Sequence, residues 1–291
     1  MRFFDRFFEN ILLLHLKIYR VGLKHNLYIY ILAFFVISSA ASCTTEFEKI
    51  RTSNNPELIL EKANEYYKKG DDLNAQTLYE LAIQYFRGKA EAEDIYFNFA
   101  YTHYNMGDYL TASQYFKVFT NTFYNSPKRE EAFFMSAYSK YKLSPNFRLD
   151  QTPSEKAIEE LQEFINAYPS SPRIMECNKL IDEMREKMEK KSYYKAMQYF
   201  DMGYFESAVR SFQNHLSDFP GSEYEEDAQY LMIKSSYELA SNSVLEKRQD
   251  RYKETVTLCN KYLEKIAKRS YKNEVKDILE KSNEKIKNQG V

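Results

Sequence analysis

The sequence predicts an all-α chain of stacked helical hairpins, a superhelical solenoid without strands. Three observations carry that prediction. Gly70, Gly107 and Gly203 stand in nearly one phrase: Gly70-Asp-Asp-Leu-Asn-Ala75, Gly107-Asp-Tyr-Leu-Thr-Ala112 and Gly203-Tyr-Phe-Glu-Ser-Ala208. An aromatic ring follows each alanine by four residues, at Tyr79, Phe116 and Phe212. Residues three and four apart share one face of a helix, so alanine and ring line a single stripe. Pro169 and Pro220 then stand where the second helix of a pair should stop, and proline cannot continue a helix.

Each glycine allows a tight, left-handed exit from the first helix of a pair. Each alanine lets the two helices approach closely. These spacings are similar to those of tetratricopeptide repeats, whose period is about 34 residues. The chain has no Trp, and Tyr or Phe takes the places where such repeats use it.

Five helix pairs and a capping helix follow in order. The first pair is expected near 56–88 and the second near 91–125. The third, near 129–168, is broken between its helices at 143–153, where Pro145, Asp150 and Pro153 forbid a continuous helix. The fourth starts near Pro172 with a long first helix through Tyr193-Tyr194 and ends near Phe219. The fifth spans about 223–266, turning at Ser241-Asn-Ser243, with Thr255 where alanine is expected. A charged last helix, Tyr271 to Lys287, suits a cap. The domain plan is a signal segment over 1–42, a lipidated and flexible tether over 43–55, and one repeat domain over 56–291.

The signal reading rests on Cys43. The apolar run Leu27–Ala41 has Lys24 and His25 before it, and Ala40-Ala41-Ser42 leads into the cysteine. A spanning helix wants roughly 20 apolar residues, whereas a basic flank, a short apolar core and small residues make a secretory signal. A cysteine directly after the small residues adds a lipoprotein processing site, with Cys43 lipidated. The alternative is an uncleaved anchor helix with Cys43 incidental. Residues 1–26 are too long for a tidy basic region; the expectation is a start placed too far upstream, with no role in the fold.

After removal of 1–42 the charges are 36 Lys+Arg against 40 Asp+Glu. That mild balance, without a basic block, argues against nucleic acid. Cys177 and Cys259 remain; they either pair in an oxidising compartment or serve as isolated packing residues. Of the four histidines, His15, His25, His103 and His215, no pair has metal-ligand spacing. No phosphate loop and no Gly-x-Ser-x-Gly elbow occurs. The expectation is no metal, no cofactor and no catalysis.

The excess lies in 26 Tyr and 21 Phe. Many should pack between helices. Adjacent pairs such as Tyr66-Tyr67, Phe133-Phe134 and Tyr193-Tyr194 point about 100° apart, so some rings should reach the face formed by first helices. Tyrosine suits peptide binding because its ring buries apolar area while its hydroxyl keeps a polar partner. The candidate groove is lined by Tyr101, Tyr104, Phe134 and Tyr138, with Lys140, Lys142 and Arg148 near enough to meet a substrate carboxylate. The competing reading places these rings in the core and the cations on a solvated surface.

Three further segments carry a family resemblance: Arg148-Leu-Asp-Gln-Thr-Pro-Ser-Glu-Lys-Ala157, Phe164-Ile-Asn-Ala-Tyr-Pro-Ser-Ser-Pro172, and Ser207-Ala-Val-Arg-Ser-Phe212 followed by Phe219-Pro-Gly-Ser222. Together with the signal, the length and the repeat count they resemble the BamD family, over roughly 45–270. The nearest match to that family's Ala-x-Tyr-Tyr is Lys191-Ser-Tyr-Tyr194, and the fifth repeat departs from the pattern; the composition suits a Bacteroidetes-like member. The resemblance implies a lipid-anchored scaffold on the periplasmic face of the outer membrane, in the machine that assembles β-barrels. It implies binding to a BamA-like barrel protein through later repeats, contact with other assembly lipoproteins, and receipt of unfolded barrel substrates by earlier ones. Thr44 after the cysteine agrees with an outer-membrane destination. The alternatives are another periplasmic repeat adaptor, coordinating division with wall synthesis, or a glycan-binding repeat lipoprotein.

Overall fold

The computed structural model describes residues 46–264 and 270–288. Among them are twelve α-helices and no strand. They fall into two compact units, one ending at Met106 and one beginning at Gly107.

The first unit holds α1 (Glu46–Arg51), α2 (Pro56–Lys68), α3 (Asp72–Phe86) and α4 (Ala92–Asn105). Asn55 starts α2 by accepting a hydrogen bond from the Leu58 amide at 3.1 Å, and Pro56 sits where its missing N–H costs nothing. Gly70 closes α2 with φ +74°. Its N–H donates to the Tyr67 carbonyl at 3.0 Å and the Asp71 N–H donates to the Tyr66 carbonyl at 2.9 Å, the two bonds of a Schellman turn. Asp71 then caps α3 from the other side, accepting from the Asn74 amide at 3.3 Å. Two residues therefore finish one helix and begin the next. Ala75 and Tyr79 are fully buried on the α2-facing stripe of α3, as their spacing predicts.

The segment over 43–55, expected to be a flexible tether, carries a helix over 46–51. Ile50 is buried and Phe47 meets the Tyr66 ring edge-on at 6.0 Å. Three residues apart on one face, these two side chains give a short helix an apolar surface to lay on α2. Cys43 and the signal segment lie outside the described residues.

The second unit holds α5 (Tyr109–Thr122), α6 (Arg129–Lys142), α7 (Thr152–Ala167), α8 (Ile174–Asp201), α9 (Phe205–Asp218), α10 (Glu225–Ser241), α11 (Leu245–Glu264) and α12 (Lys272–Asn288). Each packs on the next in sequence, the nearest-neighbour pattern of helical repeats. Ala112 and Phe116, Ala157 and Leu161, and Ala208 and Phe212 are all fully buried. Each such large side chain contributes about 1.5–3 kcal/mol by leaving water.

Helix α8 is 28 residues long. Its N-terminal half buries Cys177, Leu180, Ile181 and Met184, and its C-terminal half buries Tyr193 and Ala196. The break before α7 runs from Leu143 to Gln151. Pro153, expected inside that break, instead stands in the first turn of α7, where proline is tolerated. Gln151 braces the loop by donating to the carbonyls of Asn146 at 2.9 Å and Leu149 at 3.1 Å.

Thr255, in the place of the expected alanine, is fully buried, and its hydroxyl is satisfied by Ser236 Oγ at 2.8 Å and the Arg251 carbonyl at 3.0 Å. Helix α12 acts as the predicted cap. It buries Val275, and Tyr271 stacks on Tyr230 at 4.2 Å while donating to Asp227 at 2.7 Å. Cys177 and Cys259 are free and buried. Burial pushes their thiols up to about 11 and about 12, so they act as small apolar packing groups.

Candidate protein-binding surface

In the first unit, Tyr101 and Tyr104 sit half-buried on α4, with ring centroids 6.4 Å apart and edge-to-face. Phe97 meets Tyr101 edge-on at 5.0 Å from one turn earlier. Such pairs hold rings in fixed orientations. In the same unit, Tyr79 donates to Asn64 Oδ1 at 2.8 Å, and Asn98 Nδ2 donates to the Tyr79 hydroxyl at 3.3 Å. Burial raises the Tyr79 pKa well above the usual phenol range. His103, buried on α4, shares a hydrogen bond with Gln76 Nε2 at 3.2 Å.

In the second unit, the rings of Phe134, Tyr138 and Tyr141 form a ladder along α6. Phe134 stacks on Tyr138 at 5.5 Å, and Tyr138 on Tyr141 at 5.7 Å. The ladder runs from the core outward. Phe134 is 2% exposed, packed edge-on against Phe164 at 5.8 Å and covered by the Arg173 guanidinium at 4.2 Å. It is a core residue, so the expectation that it lines an open groove is corrected. Phe133 beside it is buried too. Helix α6 packs on both α5 and α7, and two rings 100° apart are therefore both covered.

Tyr138 and Tyr141 are half-buried. Tyr141 donates to Glu183 Oε2 at 2.6 Å, and that carboxylate, aided by burial, pushes its pKa up to about 12. Tyr141 was not among the expected groove residues, although its spacing from Phe134 and Tyr138 (seven and three residues) places it on their stripe. Lys142 and Arg148 are exposed. Lys142 lies 5.7 Å from the Tyr109 ring, and Arg148 lies 5.4 Å from that of Phe147. Lys140 is committed elsewhere, 2.7 Å from Glu160.

Further along, Ser222, His215 and Glu189 meet. Ser222 Oγ donates to Glu189 Oε1, lies 3.3 Å from His215 Nε2 and accepts from the Tyr224 amide at 3.0 Å. A hydroxyl has one proton. With that proton given to Glu189, His215 must donate from Nε2. This is the wrong order for a catalytic relay, which needs the acid on the far nitrogen of histidine. Here that nitrogen, His215 Nδ1, is buried without a partner. The cluster fastens the turn after α9 onto α8. Burial lowers the His215 pKa, against a smaller opposing pull from Glu189 and Asp218. A cleft of about 320 Å³ opens beside it, with Leu216, Pro220, Met232 and Leu258 as its apolar lining and Gln213 and Tyr262 at its polar parts. Its residues come from α9, the Pro220-Gly221 turn, α10 and α11, and the turn falls in the Phe219-Pro-Gly-Ser222 segment that the sequence singles out.

Among the described residues no group of His, Cys, Asp and Glu is arranged to hold a metal ion. No described helix is long and apolar enough to cross a membrane. A family model described as YfiO, outer membrane lipoprotein, matches residues 52–253. The chain belongs to the YfiO family of outer membrane lipoproteins. This is the family that the sequence resemblance names as BamD. A YfiO-family chain is a non-enzymatic repeat scaffold of outer-membrane protein assembly, lipid-anchored at the periplasmic face.

Two solved structures are similar in a looser sense. One is a TPR repeats protein from Bacteroides fragilis, at 15% identity and TM-score 0.36, covering 80% of this chain and 99% of that one. The other is the TPR domain of P58(IPK), at 14% identity and TM-score 0.39, covering 86% of this chain and 72% of that one. No curated protein matches the chain.

Proposed function

We propose that this YfiO-family scaffold binds a BamA-like barrel protein through its later helix pairs, beside other assembly lipoproteins, and receives unfolded barrel substrates on its earlier ones. The family match over 52–253 carries the reading. The cleft among α9, α10 and α11 supports it, because it sets apolar side chains (Leu216, Met232, Leu258) beside polar ones (Gln213, Gln229, Lys261), a mixture that suits a partner side chain. Cys43 is the lipidated residue in this reading, with 1–42 removed and 56–291 forming the repeat domain.

Substrate contact falls to Tyr101 and Tyr104 in the first unit and to Tyr138, Lys142 and Arg148 in the second. Their half-buried rings stay partly accessible, and neighbouring rings, edge-on at Tyr101 and Tyr104 and stacked at Tyr138, fix their orientation, so little side-chain entropy is lost on binding.

Purification through the C-terminus in mild detergent tests the partner. A stoichiometric BamA-like protein is expected; recovery of wall synthases without it would replace this reading with that of a division adaptor. Mass spectrometry of the mature N-terminus should find an acylated Cys43. Changing Tyr101, Tyr104 and Tyr138 to Ser should weaken binding of unfolded barrel peptides while circular dichroism stays unchanged. Undiminished peptide binding would remove these rings from the site.

A further inference from the structure

We propose that the pocket between the 143–151 loop and the C-terminal half of α8 docks an extended acidic peptide segment carrying carboxylates at alternate positions. The cavity is about 410 Å³ and is lined by Phe147, Arg148, Lys191, Tyr194, Lys195 and Gln198. It shares Arg148 with the proposed substrate surface and rests on that reading to that extent alone.

Lys187, Lys191 and Lys195 recur every four residues along α8. At 1.5 Å per residue their stems lie about 6 Å apart on one stripe. An extended chain places alternate side chains on one face about 6.6 Å apart. A row of carboxylates at every second position therefore has nearly the spacing of these lysine stems. Lys190 and Arg148 flank it.

The loop is held so that the pocket stays open. Lys187 Nζ donates to Ser144 Oγ at 3.1 Å, and Lys191 Nζ donates to the Leu149 carbonyl at 2.7 Å. An ammonium group has three donors, so each keeps two for a ligand. Lys190 lies 4.9 Å from the Phe147 ring, and Phe147 meets Tyr194 at 5.6 Å. Tyr194 is 44% exposed and offers a flat apolar wall.

Among the described residues no carboxylate forms an ion pair with any of these five cations. The nearby acids are engaged elsewhere or make no such pair. Glu183 accepts from Tyr141 at 2.6 Å and lies 3.9 Å from Lys179. Glu189 accepts from Ser222. Asp150 accepts from Thr152 at 3.1 Å. Glu186, one turn before Lys190, is exposed and forms no ion pair with it. Five cations kept together repel one another, and a row of anions relieves that repulsion. The linear spacing and the aromatic wall favour an extended peptide over a lipid headgroup, which would need no ladder.

Fluorescence anisotropy on the full chain in mild detergent, at low and physiological salt, tests the proposal. The probe is a labelled twelve-residue peptide with Glu at every second position and Thr between. One comparator has the same composition with its glutamates contiguous, and another has Lys in place of Glu. The alternating probe should bind tightest, and salt should weaken it. Lys191→Gln and Lys195→Gln should each reduce affinity about two- to five-fold, the worth of a good exposed ion pair. Arg148→Gln should act similarly without removing any loop hydrogen bond, which keeps the test decisive if Lys191→Gln loosens the loop.

Equal affinity in all three variants, or equal binding of either comparator, overturns the proposal. So does binding of phosphatidylglycerol vesicles through these same lysines when the peptide does not bind. The partner reading draws on the α9–α11 cleft, whose lining contains none of these lysines, so co-purification of a BamA-like protein through that cleft reports on the partner separately from the peptide.

Discussion

Glu160 is a carboxylate 2% exposed within a helical repeat, and removing its charge should destabilise the second unit. Lys140 Nζ lies 2.7 Å and Lys117 Nζ 3.0 Å from its oxygens, and Ser136 Oγ shares its one proton between it at 3.1 Å and the Ser113 carbonyl at 3.0 Å. Breaking a fully buried pair costs about 3–5 kcal/mol. Both lysine side chains remain about a third exposed, however, so water recovers part of their solvation and each pair is worth roughly 1 kcal/mol. The serine hydrogen bond to a charged acceptor contributes about 1.5 kcal/mol. Glu160→Ala adds the loss of buried methylenes, about 0.8 kcal/mol each, and should destabilise by about 4–5 kcal/mol. Glu160→Gln keeps volume and the serine contact and should cost about 2 kcal/mol. Urea unfolding followed by circular dichroism measures both. A double cycle with Lys140→Met should then show coupling near 1 kcal/mol. A Gln variant within 0.5 kcal/mol (about the scatter expected of a neutral surface change) would refute the view that the charge itself holds α7 to α5 and α6.

Two further outcomes follow from the backbone and from His215. Gly203→Ala should destabilise by about 1–2 kcal/mol in the same assay, since φ is +76° there and a left-handed Cβ is strained; no atom lies within 4 Å of the added carbon, so a larger loss would implicate something other than backbone. His215 is neutral when folded and has a pKa below its unfolded value. The unfolded chain therefore binds more protons between those two values, and stability should fall as pH drops below about 6.5, by at most about 1.4 kcal/mol per pH unit for one proton. His215→Gln should flatten that part of the curve; an unchanged slope assigns it to the carboxylates.

The repeat was legible because its punctuation is local. Gly70-Asp71 and Gly107-Asp108 carry a positive φ and a helix cap within two residues, and the alanine and ring four apart need no partner information to be read. The ring partition was not legible. Phe134 and Tyr138 have the same sequence credentials, yet one is core and the other half-buried, because Arg173 and Phe164, 39 and 30 residues further on, cover only the first. The α8 pocket escaped for a similar reason: nothing in the spacing of Lys187, Lys191 and Lys195 shows that the 143–151 loop is laid beside them. The helix over 46–51 was hidden by its brevity, since six residues hold too few apolar positions to show a period.

At 28 residues, α8 is about 42 Å long and unbroken. Its two halves are clamped by different neighbours, α7 and α9. A beam of that length converts a small rotation at one clamp into a large excursion at the other: about 10° of tilt sweeps its far end through roughly 7 Å. A ligand seated on its C-terminal half would thus have mechanical leverage over the packing at the opposite end.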